Sequence, residues 1–279
     1  MKKLLIIGAS GLIGKAILEE CKNDFEVYGT YFSNKIELPG EKQFQLGLHQ
    51  YDKLKGIIRT VQPDIIVSCL RGEFDQQLEF HSQLALELRN TQSLLYYFST
   101  ANVFDGDFSK HHIETDHPVA QSDYGNFKIK CENTLKQILN DRAIVIRIPA
   151  IWGKESPRMN LIMESIEGNQ TIEVYSNLEC NNLLDTQLAK QLRYIIEKDL
   201  KGIFHLGSVD MMTQENFFGA LIEALSGERE LLRSKLFDDK ESTFYFGLQS
   251  SRNDLPFTSK NTNPNIISGL VSGGAYLEE

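Results

Sequence analysis

The chain has 279 residues, 41% apolar and 24% charged, with a formal net charge of −9. That length holds one large domain, or a domain with a smaller lobe. The acid excess excludes the concentrated positive field of a nucleic-acid or anionic-membrane surface, and no stretch approaches the roughly 20 apolar residues of a spanning helix.

The opening MKKLLIIGASGLIG starts like a secretory leader but breaks at Gly8 after four apolar residues. Cys21, Cys69, Cys131 and Cys180 are too dispersed for a zinc pair or a disulfide framework. These features predict reduced thiols in a cytoplasmic protein. Leu4–Ile7 is a continuous apolar run, as in a parallel strand buried on both faces, and a helical pattern follows over Leu12–Cys21. Further strands are predicted at Glu26–Thr30, Lys42–Leu46, Asp64–Cys69, Leu94–Phe98 and Ala143–Ile148. Helices are predicted between them at Tyr51–Thr60, Phe74–Arg89 and Asp123–Asn140. This succession implies βαβ units in an α/β, doubly wound Rossmann sheet.

After Pro149 the regularity fails. A helix near Met159–Glu167, a strand near Thr171–Tyr175 and a polar stretch to Asn182 suggest a small lobe. Asp185–Glu197 reads as an amphipathic helix, and Gly202–Leu206 as a strand returning to the sheet. From Thr213 a helix leads into a Ser/Asn-rich, irregular tail, with Glu228-Arg229-Glu230 as a solvated charge run. The expected division is a dinucleotide-binding domain over 1–153, rejoined by about 183–206. A C-terminal substrate-binding lobe takes 154–182 and 207–279.

Gly8-Ala9-Ser10-Gly11-Leu12-Ile13-Gly14 lies between the first strand and its helix. Glycines there permit a tight turn and close approach of a pyrophosphate to the helix N-terminus. An NAD site places an acid about 20 residues further on, for the ribose 2′-hydroxyl. The corresponding tip, Gly29-Thr30-Tyr31-Phe32-Ser33-Asn34-Lys35, carries none. Tyr31, Ser33 and Lys35 are therefore assigned to the cofactor, and NADP(H) is favoured over NAD(H) because hydroxyl and cation suit a 2′-phosphate. A merely solvated Lys35 is almost as good a reading.

Ser99 and Thr100 end the fifth strand, and Tyr124 and Lys128 share a face of the following helix at i, i+4. Ketone reduction needs a hydride on carbon and a proton on oxygen. An unperturbed phenol, with a pKa of about 10, is a poor acid near neutrality unless a neighbouring cation favours the phenolate. Thr100 would hold the substrate oxygen beside that phenol.

At these residues the sequence resembles the extended short-chain dehydrogenase/reductase superfamily, and within it the dTDP-4-dehydrorhamnose reductase family. That family reads GxxGxxG, STDYVFDG, YGxxK and R…YG. The matching residues are Gly8, Gly11 and Gly14; Ser99, Thr100, Val103, Phe104, Asp105 and Gly106; Tyr124, Gly125 and Lys128; and Arg147 with Trp152-Gly153. The resemblance spans about residues 1–210. It implies NADPH-dependent reduction of a 4-keto group on a nucleotide-linked deoxysugar, with Thr100, Tyr124 and Lys128 as the catalytic trio. It also implies that Cys69, Leu70, Arg71, Ser99 and Ile148 border the cofactor. Arg71, Ala101 and Asn102 are candidates for substrate contact. Location in the lobe adds Met159, Asn160, Asn181, Asn182 and Arg252.

Three departures stand out. Ala101-Asn102 replaces Asp-Tyr, Ser68-Cys69-Leu70-Arg71 replaces Asn-Cys-Ala-Ala, and Gly47-Leu48 replaces an Asp-containing turn. The alternatives are an NAD-dependent epimerase and a non-catalytic NADP-binding regulatory subunit; a homodimer is open. A 4,6-dehydratase would need an acid and a base at 101 and 102. The His111-His112-Ile113-Glu114-Thr115-Asp116-His117 segment lacks a metal-site order and reads as a polar loop. No GxSxG elbow is present.

Overall fold

A computed structural model describes residues 1–226, 231–256 and 260–272, so the Glu228-Arg229-Glu230 run lies outside the described residues. The first half alternates strand and helix except between β2 and β3: β1 (Lys3–Ile7), α1 (Leu12–Cys21), β2 (Glu26–Tyr31), β3 (Gln43–Gln45), α2 (Tyr51–Val61), β4 (Ile65–Ser68), α3 (Phe74–Leu88), β5 (Leu94–Thr100), α4 (Asp123–Leu139) and β6 (Ala143–Ile148). After the lobe begins come β7 (Ala150–Trp152), α5 (Pro157–Glu167), β8 (Ile172–Tyr175), β9 (Leu178–Cys180) and β10 (Asn182–Leu184). The chain continues with α6 (Asp185–Glu197), β11 (Ile203–His205), β12 (Met212–Thr213), α7 (Gln214–Ser226), β13 (Leu232–Lys235), β14 (Phe244–Tyr245) and α8 (Asn263–Val271).

Seven strands form one parallel sheet in the order β3-β2-β1-β4-β5-β6-β11. The strand order reverses beside β1, and such a switch point opens a crevice at the carboxyl ends of the strands. Both faces are covered, which is why the strands read as apolar runs rather than alternations. On one face Ile17 of α1 and Leu188, Leu192 and Ile195 of α6 pack over Leu4, Ile6 and Ile146. On the other, Leu54, Phe80, Leu84 and Leu135 from α2, α3 and α4 cover Leu5, Ile7 and Ile66. Each fully buried aliphatic side chain contributes about 1.5–3 kcal/mol relative to exposure.

The lobe has its own core, with Trp152, Met159 and Ile162 packed on Phe217, Leu221, Ile266 and Leu270. Its sheets are small: β7 with β10, β8 with β13, and β12-β9-β14. The stretch expected to be polar and irregular up to Asn182 therefore contains β9, and the tail expected to be irregular contains β13, β14 and α8. These elements are two to four residues long except α8, too short for periodicity to register. For α8 a signal was present, since Thr262 accepts from Asn265 N–H as a cap and Pro264 occupies the first turn. No helix among the described residues is long and apolar enough to cross a membrane.

The histidine-rich segment is a polar loop whose side chains bond within the protein. His112 is stacked on Phe104 at 4.1 Å between centroids, and its ring meets the Asp116 carboxylate and the Asp107 carbonyl. Glu114 accepts from the Ser250 hydroxyl at 2.6 Å, from Ser251 N–H at 2.8 Å and from His205 N–H at 3.2 Å. Burial raises the Glu114 pKa, but these donors outweigh it and the carboxyl is held below its ordinary range. The residue types that suggested ligands serve instead to strap residues 105–121 to residues 248–251.

Candidate active site

The glycine turn is forced by close packing. Gly8 has a φ of +83°, which L side chains rarely adopt, and a Cβ on Gly14 would overlap the Gly8 carbonyl and Ala9. β2 holds the turn from the side: Thr30 accepts from Gly8 N–H at 3.0 Å through its hydroxyl and from Ala9 N–H at 2.8 Å through its carbonyl. Gly11 is the N-cap of α1, with no side-chain cap and no acid in the first turn, so no side chain of the helix opposes the positive end of its dipole. That cradle fits a dinucleotide pyrophosphate. Tyr31 closes β2, and Ser33 and Lys35 follow it on exposed chain.

At the end of β5, Thr100 starts a tight helical turn over residues 101–104. Its hydroxyl donates to Asn102 Oδ1 at 3.1 Å and accepts from Asn102 N–H at 3.3 Å. Asp105 then fixes the start of α4, accepting from Gln121 N–H at 2.6 Å, Ser122 N–H at 3.1 Å and the Ser122 hydroxyl. Ser122 in turn caps α4 by accepting from Gly125 N–H. Gly125 lies against the Asn102 carbonyl, where any Cβ would collide. These contacts lock the turn carrying Thr100 to the helix carrying Tyr124.

Tyr124 is 37% exposed, with its ring leaning on Phe74 and Phe127. Its surroundings raise the phenol pKa above 10 by burial, opposed by the Thr100 hydroxyl and by the cations Arg71 and Arg158. Lys128 is not among the groups that lower it. The ammonium donates to the Phe98 carbonyl at 2.9 Å, sits 4.7 Å from the Tyr97 ring centroid and 5.9 Å from that of Tyr124. Burial pushes the Lys128 pKa down to about 8. Beneath it, His81 Nε2 meets Ser68 Oγ at 2.8 Å and Nδ1 meets the Gln77 carbonyl at 2.6 Å. Burial, reinforced by Lys128, lowers the His81 pKa to about 3, which keeps that ring neutral.

A cavity of about 380 Å³ separates the sheet from the lobe. Its wall brings together Leu12, Ile13, Cys69, Leu70, Arg71, Ser99, Thr100, Ala101, Asn102, Tyr124, Lys128 and Ile148, all singled out from sequence. Asn181 and Asn182 also line it, but their amides are committed to the protein. Asn181 donates to the Ser208 and Leu248 carbonyls and accepts from Leu248 N–H; Asn182 accepts from Trp152 Nε1–H and donates to Asn263. Asn182 therefore shapes the wall rather than offering free polar atoms.

Two candidates fall away. Asn160 lies on an exposed face of α5 while Met159 joins the lobe core; Arg158 is the residue of that turn on the cavity wall. Arg252 is elsewhere, its guanidinium 3.8 Å from the Phe204 ring centroid, donating to the Lys201 and Ile203 carbonyls and paired with Asp254. It clamps β11, a long-range role that no local pattern announces. Tyr175, Gln214, Phe218 and Phe246 line the lobe side and were missed for the same reason. Among the described residues no group of three or more His, Cys, Asp or Glu could hold a metal ion.

A parallel sheet with this switch point, a glycine cradle, and a Tyr–Lys helix beside a strand-end threonine define an NAD(P)-dependent oxidoreductase of the extended short-chain dehydrogenase/reductase type. Residues 1–235 match the RmlD substrate binding domain family, and the chain belongs to that family. It is 26% identical to methionine adenosyltransferase 2 subunit beta of Danio rerio, over 81% of this chain and 74% of that one. It is 20% identical to the probable low-salt glycan biosynthesis reductase Agl14 of Haloferax volcanii, over 84% of each. A dTDP-4-dehydrorhamnose reductase from Clostridium acetobutylicum shares the fold with a TM-score of 0.78 at 18% identity, covering 96% of this chain and 98% of that chain.

Proposed function

We propose that the chain reduces a keto group on a nucleotide-linked deoxysugar with NADPH, Tyr124 giving the proton. The observation carrying this reading is the convergence of Thr100, Tyr124 and Lys128 on one cavity between the sheet edge and the lobe. The nicotinamide supplies the hydride when bound. Thr100 positions the carbonyl oxygen, and the Tyr124 hydroxyl delivers a proton to that oxygen as charge develops on it. Lys128, buried under the site and bonded to the Phe98 carbonyl, holds a positive charge available to the bound cofactor. Arg71 and Arg158 offset the burial that otherwise makes the phenol a weak acid. Preference for NADPH rests on the acid-free end of β2, with Ser33 and Lys35 available to a 2′-phosphate.

The test is turnover of NADPH with a panel of nucleotide-linked 4-keto-6-deoxysugars, compared with Tyr124→Phe. Loss of about 10²–10⁴ in kcat, with NADPH affinity kept, is the expected result. Tight NADPH binding without reduction of any sugar would sink it. A second reading then takes over, a binding subunit, favoured by the similarity to methionine adenosyltransferase 2 beta subunits and by Ala101-Asn102 in place of an acid and a phenol.

A further inference from the structure

The protein carries a net charge of −9, yet no aspartate or glutamate lines the catalytic cavity among the described residues. Three cations do: Arg71, Lys128 and Arg158. Lys128 is occupied by the Phe98 carbonyl. Neither Arg71, just past β4, nor Arg158, in the first turn of α5, has an ion-pair or hydrogen-bond partner among the described residues. Arg147 is paired with Glu132, Arg193 with Glu20 and Asp24, and Arg252 with Asp254, while Arg59 on α2 and Arg89 just past α3 are exposed and away from the cavity. The two free guanidinium groups also repel each other, and α5 adds the partial positive charge of a helix N-terminus with no acid in its first turn. Like charges held together with nothing to neutralise them indicate a ligand that brings the opposite charge, and paired guanidinium groups suit a planar carboxylate.

Both arginines act on the Tyr124 phenol. Both also line the cavity that Thr100 and Tyr124 line. We infer that Arg71 and Arg158 form a receptor for a carboxylate carried by the sugar itself, next to the carbon that reacts. The inference rests on the nucleotide-sugar reading above but moves the substrate from a 6-deoxysugar to a sugar whose C6 is a carboxylate. The lost acid at position 101 agrees, since a carboxylate there would oppose such a substrate.

The test uses stable alcohols, which bind without turnover. Calorimetric titration in the presence of NADPH, which cannot accept a hydride from an alcohol, compares nucleotide-linked glucuronate with nucleotide-linked glucose, in uridine and thymidine forms. Wild type is expected to bind the glucuronate about tenfold more tightly than its matched glucose, as one charge-assisted bidentate contact allows. In the double variant Arg71→Gln/Arg158→Gln the ratio should fall to about one, and Arg71→Lys/Arg158→Lys should restore part of it. Both side chains are exposed in the cavity, so an unchanged melting temperature accompanies the effect. Equal binding of the two sugars by wild type, with the glutamine variant weakening both alike, would assign the arginines to the diphosphate and overturn the inference while leaving the reductase reading intact. If neither sugar nucleotide binds, the nucleotide-sugar reading fails and the inference with it.

Discussion

The two walls of the active-site cavity are held by different forces. The sheet wall is made by β4, β5 and β6, parallel strands whose neighbours are apolar above and below, and it takes its geometry from a regular ladder. The lobe wall has strands of two to four residues, and asparagines replace the ladder. Asn177 donates to the Lys240 carbonyl at 2.7 Å and the Ser242 carbonyl at 2.9 Å while accepting from Phe237 N–H at 2.7 Å. Asn181 and the Asn182–Asn263 pair do the same between β10, the turn at Ser208 and α8. Area burial tolerates substitution, because many contacts share the work. A buried amide that satisfies two or three backbone groups is a single point of failure. On the proposed function, Thr100, Tyr124 and Lys128 stand on the tolerant side of the cavity, and Arg158 on the side that one residue can deform.

The largest expected effect lies on the sheet side, at the buried Arg147–Glu132 ion pair. Arg147 is bonded to Glu132 by Nε at 3.1 Å and Nη2 at 2.8 Å. Glu132→Gln leaves a buried guanidinium without its counter-charge, and denaturant titration should show a loss of about 3–5 kcal/mol. On the lobe side, Asn181→Ala should cost about 2–4 kcal/mol by stranding the Leu248 and Ser208 backbone groups. If the walls are separable, it raises the sugar KM while the NADPH dissociation constant stays within about twofold. Equal loss of both affinities would erase the distinction.

Lys128→Met sharpens the sheet side by pH. Lys128 titrates at about 8 in the folded protein, against ~10.4 for a free lysine. The buried ammonium therefore opposes folding at every pH below about 8, and the penalty is relieved as pH climbs toward ~10.4. The methionine variant should melt a few degrees above wild type at pH 7, with the gap closing by about pH 10, although its NADPH turnover is lost. A variant less stable than wild type at pH 7 would show that the Phe98 bond and the Tyr97 ring outweigh burial. The smallest effect belongs to Arg252→Ala. It should lower stability by about 1 kcal/mol through the loosened β11 clamp, with sugar KM unchanged.

The same division decided what could be read from sequence. α1, β6 and α6 were delimited to the residue because their apolar periodicity is a local property. The glycine cradle and the Tyr124–Lys128 pair were legible because strand, turn and helix are consecutive in the chain. β7 and β10 were not, since three residues carry no period and their pairing joins positions about 32 apart. Arg158 was passed over for its neighbours Met159 and Asn160, as the face that α5 turns to the cavity is set by packing on α7. Arg252 was placed among the substrate contacts by its location alone, because Phe204 and the two carbonyls of the 201–203 segment that hold it lie some 50 positions away. The rotamer that turns the Lys128 ammonium to the Phe98 carbonyl, 5.9 Å from the Tyr124 ring centroid, is likewise set by packing that no local pattern announces.

The strap at Glu114 has a consequence in time. Ser250 is 136 positions beyond the carboxylate that it bonds. Contacts of such separation form late, because a long loop must close first. During synthesis the glycine cradle and the first six sheet strands are complete once residue 148 has emerged, more than a hundred residues before Ser250 and Ser251 arrive. A growing chain thus acquires a place for its dinucleotide well before it acquires a finished chamber for anything else. Ribosome-stalled chains ended near residue 210 should already retain NADPH, and the sugar should join only after the last strap is tied.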